Sequence, residues 1–241
     1  MWVQSALACI RLHGGNAAAE TQLLLSALYV AGCAYRSFLP VIDIPRLVLV
    51  DSRLSSVLVG RTVATVAELC FAAQWALILH DLALTSGSAF LQAVSLALVP
   101  VILLAEGFSW YAVLTTEQRA HAVENSLWGI SAALSVIGVA LVGPERIPAL
   151  YAVTVVGGVA YVLFIFVYDV PMYWSRWLAD EAGGRRYLSL LEGMADVRMR
   201  WAESSRWEDW KNEIAWMTLY FTFGVWSSIS LYYVSQAVAG P

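Results

Sequence analysis

The sequence predicts an all-α fold, a polytopic integral membrane helical bundle of about six transmembrane helices plus one cytoplasmic amphipathic helix. Three observations predict it. Hydrophobic residues make up 60% of the 241-residue chain and charged residues only 13%, with a mean hydropathy of +0.67. Soluble domains carry about 25% charged residues. Each third of the chain holds an uncharged apolar run near membrane-spanning length. The Lys and Arg residues, finally, gather in alternate loops. A soluble enzyme and a disordered chain are excluded. So is a nucleic-acid partner, because a net charge of −4 and a pI near 5.3 provide no field for a polyanion.

The elements follow in order. Residues 1–12 lack a basic start and are too short for a signal peptide; they read as an amphipathic stretch ended by Gly14 and Gly15. A helix needs about 20 residues to cross roughly 30 Å of hydrocarbon. Such runs fall at 18–38, 54–79, 88–112, 120–142, 147–172 and 212–236, within one transmembrane domain covering 1–241. Asp51 or Ser52 can cap the second span, and Thr115 with Gln118 reads as a capping box for the fourth. Pro144 and Pro148 bracket the start of the fifth, and Ser205 with Glu208 opens a helix running into the sixth. Between spans five and six, segment 173–211 repeats apolar residues at Leu188, Leu191, Met194 and Val197. That spacing predicts an amphipathic helix, hinged at Gly183-Gly184, on the membrane or on the other cytoplasmic loops. The segment is too small for an independent catalytic domain.

Charge sets the orientation. Arg36, Arg46, Arg53, Arg119, Arg176, Arg185, Arg186, Arg198, Arg200, Arg206 and Lys211 follow spans one, three and five, whereas only Arg11 and Arg146 lie opposite. The positive-inside rule then places both termini outside and loop 173–211 in the cytoplasm. Tyr173, Trp174, Trp177, Trp207, Trp210 and Trp216 form the matching interfacial belt. An Ala-rich chain of this kind is expected in a bacterial inner membrane.

The informative residues are charges within the spans, since each costs roughly 3 kcal/mol at mid-bilayer unless paired, hydrated or functional. Arg61 and Glu68 share a face of span two but stand roughly 10 Å apart along its axis. A direct salt bridge is therefore expected to be strained, with Thr65 or another helix completing the connection. Glu106 lies in span three. Glu117, His121, Glu124, Asn125 and Trp128 form one face of span four, Asp169 precedes Pro171, and Glu213 begins span six. The alternating orientation brings Arg61, Glu106, His121, Glu124, Asp169 and Glu213 into the cytoplasmic half, with Glu68 near the midplane. Carboxylates outnumber bases there, so the site needs a proton, a bound cation or water.

Plainer readings compete. Glu117, His121 and Glu213 suit the headgroup zone, Asp169 can bond locally before Pro171, and Arg61 can pair structurally between helices. Glu68 and Glu106 resist such explanations. His13 and His80 read as solvated loop residues. Cys9, Cys33 and Cys70 show no ligand spacing. The single lysine, Lys211, lies outside the spans and excludes a retinal Schiff base. No mid-span histidine pair suits haem, and neither HExxH nor a Gly-rich phosphate loop occurs.

A carboxylate site remains. Glu68, Glu106, His121, Glu124, Asp169 and Glu213 form a pool of ligands for a divalent metal ion. Glu106 and Glu124 would bind it or serve as acid and base, while Arg61 holds an anionic headgroup or orients a carboxylate. The first expectation is a membrane-embedded, metal-dependent enzyme or metal-binding protein acting on a lipid-like substrate. The second is a proton- or ion-coupled transporter or channel, with Glu68 and Glu106 as a relay along Arg61. The third is a non-catalytic receptor or subunit of a membrane complex. The expected partners are the bilayer, a lipid-like or ionic substrate, and a second copy or a complex partner.

Overall fold

The computed structural model describes residues 17–145 and 148–239, and is 83% helical. Arg11, His13, Cys9 and Arg146 lie outside the described residues. The helices are α1 (Ala17–Phe38), α2 (Val57–Ser86), α3 (Ala89–Thr115), α4 (Gln118–Val142), α5 (Pro148–Phe164), α6 (Val170–Ala182), α7 (Leu190–Met199) and α8 (Trp207–Ala239). Among the described residues, five helical runs are long and apolar enough to cross a membrane: α1 to α4, and the run Tyr151–Ala182. Exposed side chains such as Leu96, Leu141, Val156 and Val167 cover their outer faces, as lipid contact would require.

Several helix ends differ from the sequence expectation, each for a local reason. Ser56, not Asp51 or Ser52, caps α2 by accepting from the Val59 amide, while Ser52 serves a short 3₁₀ turn at Arg53–Ser55. The second helix continues to Ser86, where Gly87 adopts the left-handed conformation that terminates it. His80 is therefore half-buried within a helix and not in a loop. No capping box forms at Thr115: its hydroxyl donates back to the Tyr111 carbonyl and accepts from the Glu117 amide. Before α8, Ser204 forms a turn, accepting from the Arg206 amide and donating to Asp209 in the first turn of the helix.

The fifth run does not stop at 172. A π turn, Ile165–Asp169, joins α5 to α6, with the Val170 amide bonding to the Ile165 carbonyl. Pro171 thus falls in the first turn of α6, where a missing N–H is tolerated, and the helix runs on to Ala182. Residues 173–182, expected as loop, extend the span.

A small cap covers one end of the bundle. Strands β1 (Val41–Ile42) and β2 (Leu47–Val48) pair antiparallel, and β2 pairs parallel with β3 (Ala202–Glu203). Arg46, with φ 77°, is 2% exposed. Its guanidinium donates to the Asp43 carbonyl (2.7 Å), the Val113 carbonyl (2.7 Å) and Asp196 Oδ2 (2.8 Å). Helix α7 opens with a Ser189–Glu192 capping box. It rests on the end of α3 through Gly193 and Val197, while Leu191 is 85% exposed. The buried stripe is therefore narrower than the expected series of Leu188, Leu191, Met194 and Val197. Gly193 explains the close approach: a Cβ there would lie 2.2 Å from the Leu114 carbonyl oxygen.

Candidate functional site

Helix α2 lies between α1, α3 and α8, so its polar face meets neighbouring helices. Arg61, Thr65 and Glu68 follow one another at helical spacing along that face. Helix α3 brings Glu106 and Trp110 to them, and α4 brings His121 and Glu124. All four charged groups of the centre, Arg61, Glu68, Glu106 and Glu124, are buried.

The geometry centres on one guanidinium nitrogen. Arg61 Nη2 lies 2.6 Å from Glu106 Oε2, 3.0 Å from Glu68 Oε2 and 3.9 Å from Glu124 Oε1. Ligand oxygens of the three glutamates all fall within 4.8 Å of one another. Thr65 donates to Glu106 Oε2 at 2.6 Å and accepts from Trp110 Nε1 at 3.0 Å, fixing that carboxylate from a second side. Glu68 Oε1 reaches Arg36 Nη1 at 3.9 Å. On the other flank, His121 Nδ1 stands 2.7 Å from Glu124 Oε2, and its ring packs on Tyr173 with centroids 5.1 Å apart.

The direct Arg61–Glu68 bridge, expected to be strained, forms at 3.0 Å. Thr65 does not link Arg61 to Glu68 but donates to Glu106, the residue of another helix that Arg61 also meets. Among the predicted ligands, the structure brings together Glu68, Glu106 and Glu124 around Arg61, with His121 attached through Glu124. Asp169, at the end of the π turn, lies near enough for its charge to act on Glu124 and His121. Glu213 is not among the converging oxygens and pairs with Arg176 at 3.7 Å.

Charge and hydrogen bonding are both incomplete. Three carboxylates face two guanidiniums and one imidazole. Among the described residues, Glu106 Oε1 and Arg61 Nε are buried without a hydrogen-bond partner, a state that native interiors rarely tolerate. Oxygens of Glu68 and Glu106 lie within 4.8 Å of each other, and like charges held that close disfavour ionisation of both groups. As a metal site the cluster supplies hard oxygen ligands, which suit a divalent ion at about 2.0–2.6 Å. The Arg61 nitrogen, however, occupies the common point such an ion would need.

Sequence reasoning missed four contributors. Arg36 reads as a loop cation, yet it bends back from the last turn of α1 to Glu68. Trp110 sits one turn after Glu106, a spacing that was available as a signal. Tyr173 read as part of an interfacial belt. The fourth is a second polar knot beyond Glu68, built on Gln74, which lies about 9 Å further along α2. Gln22 Nε2 donates to the Gln74 carbonyl (3.1 Å), Ser228 Oγ to Gln74 Oε1 (2.6 Å), and Gln74 Nε2 to the Ser228 carbonyl (3.2 Å). Ser26 joins through Ser228 at 3.0 Å. All four residues are buried, and together they extend the polar interior toward the opposite end of the bundle. No known family, curated protein or solved structure matches the chain. The fold and site define a helical bundle, rich in apolar helices of spanning length, with a buried carboxylate triad.

Proposed function

We propose that this is an integral membrane protein of six spanning helices whose Glu68–Glu106–Glu124–Arg61 cluster binds and releases a proton, as the relay of a proton- or ion-coupled transporter or channel. The orientation is the one charge dictates: both termini outside, and the α7 side in the cytoplasm of a bacterial inner membrane. The observation that carries the reading is the convergence of three buried carboxylates on one guanidinium nitrogen. With Arg36 and Arg61 counted, the triad keeps one negative charge unbalanced unless a proton or a cation joins it. Glu106 Oε1 is the acceptor left open for it. Arg36 and His121 connect the triad to the margins of the bundle on two sides, and the Gln22–Gln74–Ser228 knot supplies polar groups beyond the midplane. Proton relays in membranes are built from chains of Asp, Glu and His, which here are the triad and His121.

A second reading rests on the same triad. If Arg61 swings away to an anionic substrate, the three carboxylates become a hard-cation site, and a metal-dependent enzyme acting on a lipid-like molecule follows. Purified protein reconstituted in liposomes with an internal pH dye separates the two. Under an imposed potential, the wild type is expected to move protons, and Glu106→Gln to fall to the level of empty vesicles while remaining folded. A stoichiometric metal, lost in both Glu106→Gln and Glu124→Gln and unaccompanied by proton flux, would overturn the transporter reading in favour of the enzyme.

A further inference from the structure

A cleft of about 230 Å³ opens at the turn between α3 and α4, lined by Phe108, Tyr111, Glu117, Arg119, Ala120 and Val123. Its polar lip and its apolar walls have different owners. The lip is an ion pair: Arg119 Nη2 lies 2.7 Å from Glu117 Oε1, with Glu117 buried and the Arg119 side chain half exposed. Trp177 of α6 lies under the Arg119 guanidinium, 5.2 Å from its centre, and holds it in place. The walls run down the lipid-facing side of α3. Leu104, Gly107 and Tyr111 share that face with Phe108, and Leu104 and Tyr111 are exposed. At Gly107 that face is bare backbone between the side chains of Leu104 and Tyr111, open enough that an added Cβ would meet nothing within 4 Å.

We propose that this cleft binds a phospholipid with a zwitterionic ethanolamine headgroup. Charge complementarity selects the occupant. Arg119 offers donors to the phosphate, and Glu117 accepts from the primary ammonium, so each half of the lip pair exchanges one partner for a lipid group of the same sign as the partner it releases. A choline headgroup, with no N–H, cannot donate to Glu117, and a purely anionic headgroup leaves Glu117 facing negative charge. One acyl chain then lies over Gly107, between Leu104 and Tyr111. The inference rests on the membrane reading of the chain but not on the role of the triad.

The test uses purified, delipidated full-length protein in mild detergent, with its melting midpoint followed against added phosphatidylethanolamine, phosphatidylcholine or phosphatidylglycerol of identical acyl chains. The ethanolamine lipid is expected to give the largest saturable upward shift. Arg119→Gln removes a charge-assisted contact and is expected to weaken binding about tenfold. Gly107→Leu, which fills open space, is expected to abolish the shift without lowering the lipid-free midpoint, since replacing a glycine inside a helix favours the helix. Glu106→Gln should retain the full lipid shift, so failure of the transporter reading and failure of this one are told apart. Equal shifts by all three lipids in wild type and both cleft variants would mean bulk solvation and overturn the proposal. A larger shift with phosphatidylglycerol would overturn the ethanolamine assignment.

Discussion

Arg61 is the residue on which the interior depends. Its guanidinium meets Glu106 and Glu68 directly and faces Glu124 at 3.9 Å, so removing it leaves three carboxylates packed against one another. Breaking a buried ion pair by deleting one partner costs about 3–5 kcal/mol. Arg61→Ala is therefore expected to lower the melting midpoint of the purified protein more than Glu68→Gln, which removes one charge and keeps the shape. The double variant Arg61→Met with Glu106→Gln should recover part of the loss, because the surplus of negative charge falls. A midpoint unchanged in Arg61→Ala would show that the guanidinium is not the counter-ion holding the triad. Thr65 acts more locally: it fixes one oxygen of Glu106 and gives the Trp110 indole its acceptor.

At the scale of elements, the cap is held to the bundle by a latch. Arg46 joins the β1–β2 turn, the end of α3 and α7 through three hydrogen bonds, and the Arg46 carbonyl accepts from the Ala202 amide of β3. Partial burial tends to raise the Asp196 carboxyl, but the guanidiniums of Arg200 and Arg46 outweigh it and hold the group below the usual carboxylate range. A carboxyl lowered on folding contributes stability that is complete above its unfolded value, about 3.9, and disappears as the pH falls through the lower folded value. Hydrogen exchange checks this. Protection of the Ala202 amide is expected to hold down to about pH 4 and to weaken progressively below it. Asp196→Asn should show the weakened protection already at neutral pH. Protection unaffected by acid or by the substitution would mean that the strands, and not the latch, secure the cap. The π turn at Ile165–Asp169 is the other element with a job, since it carries the helix past Pro171 and brings Asp169 and Tyr173 alongside His121.

For the whole molecule, the orientation is the consequence most open to measurement. In a background with Cys9, Cys33 and Cys70 replaced, single cysteines at Ala89 and Arg198 mark opposite ends of the bundle. A membrane-impermeant maleimide added to intact cells is expected to label Ala89→Cys at once, and Arg198→Cys only after permeabilisation. The reverse pattern would invert the proposed topology, and labelling of both from one side would remove the odd number of crossings between them. The polar interior gives this orientation its meaning, because the triad lies nearer the α7 end and the Gln74 knot nearer the other.

Much of this was legible in the sequence. Apolar runs of spanning length favour helix, which satisfies its backbone hydrogen bonds within the segment, and the helices lie close to where composition placed them. The charges that could not belong to lipid-facing surfaces, Arg61, Glu68, Glu106 and Glu124, were visible for the same reason. What stayed hidden depends on the third dimension. Arg36 counted as a loop cation because nothing in one helix reveals a side chain reaching into the next. Ser56 displaced the expected cap of α2 because a 3₁₀ turn at Arg53–Ser55 takes up Ser52 and starts the helix later. Glu213 read as a ligand by depth alone, whereas rotation of its helix turns it to Arg176. A sequence determines what each segment must bury and at what depth. The rotation of each helix about its axis is decided by packing against the others, and that rotation determines which buried charges meet.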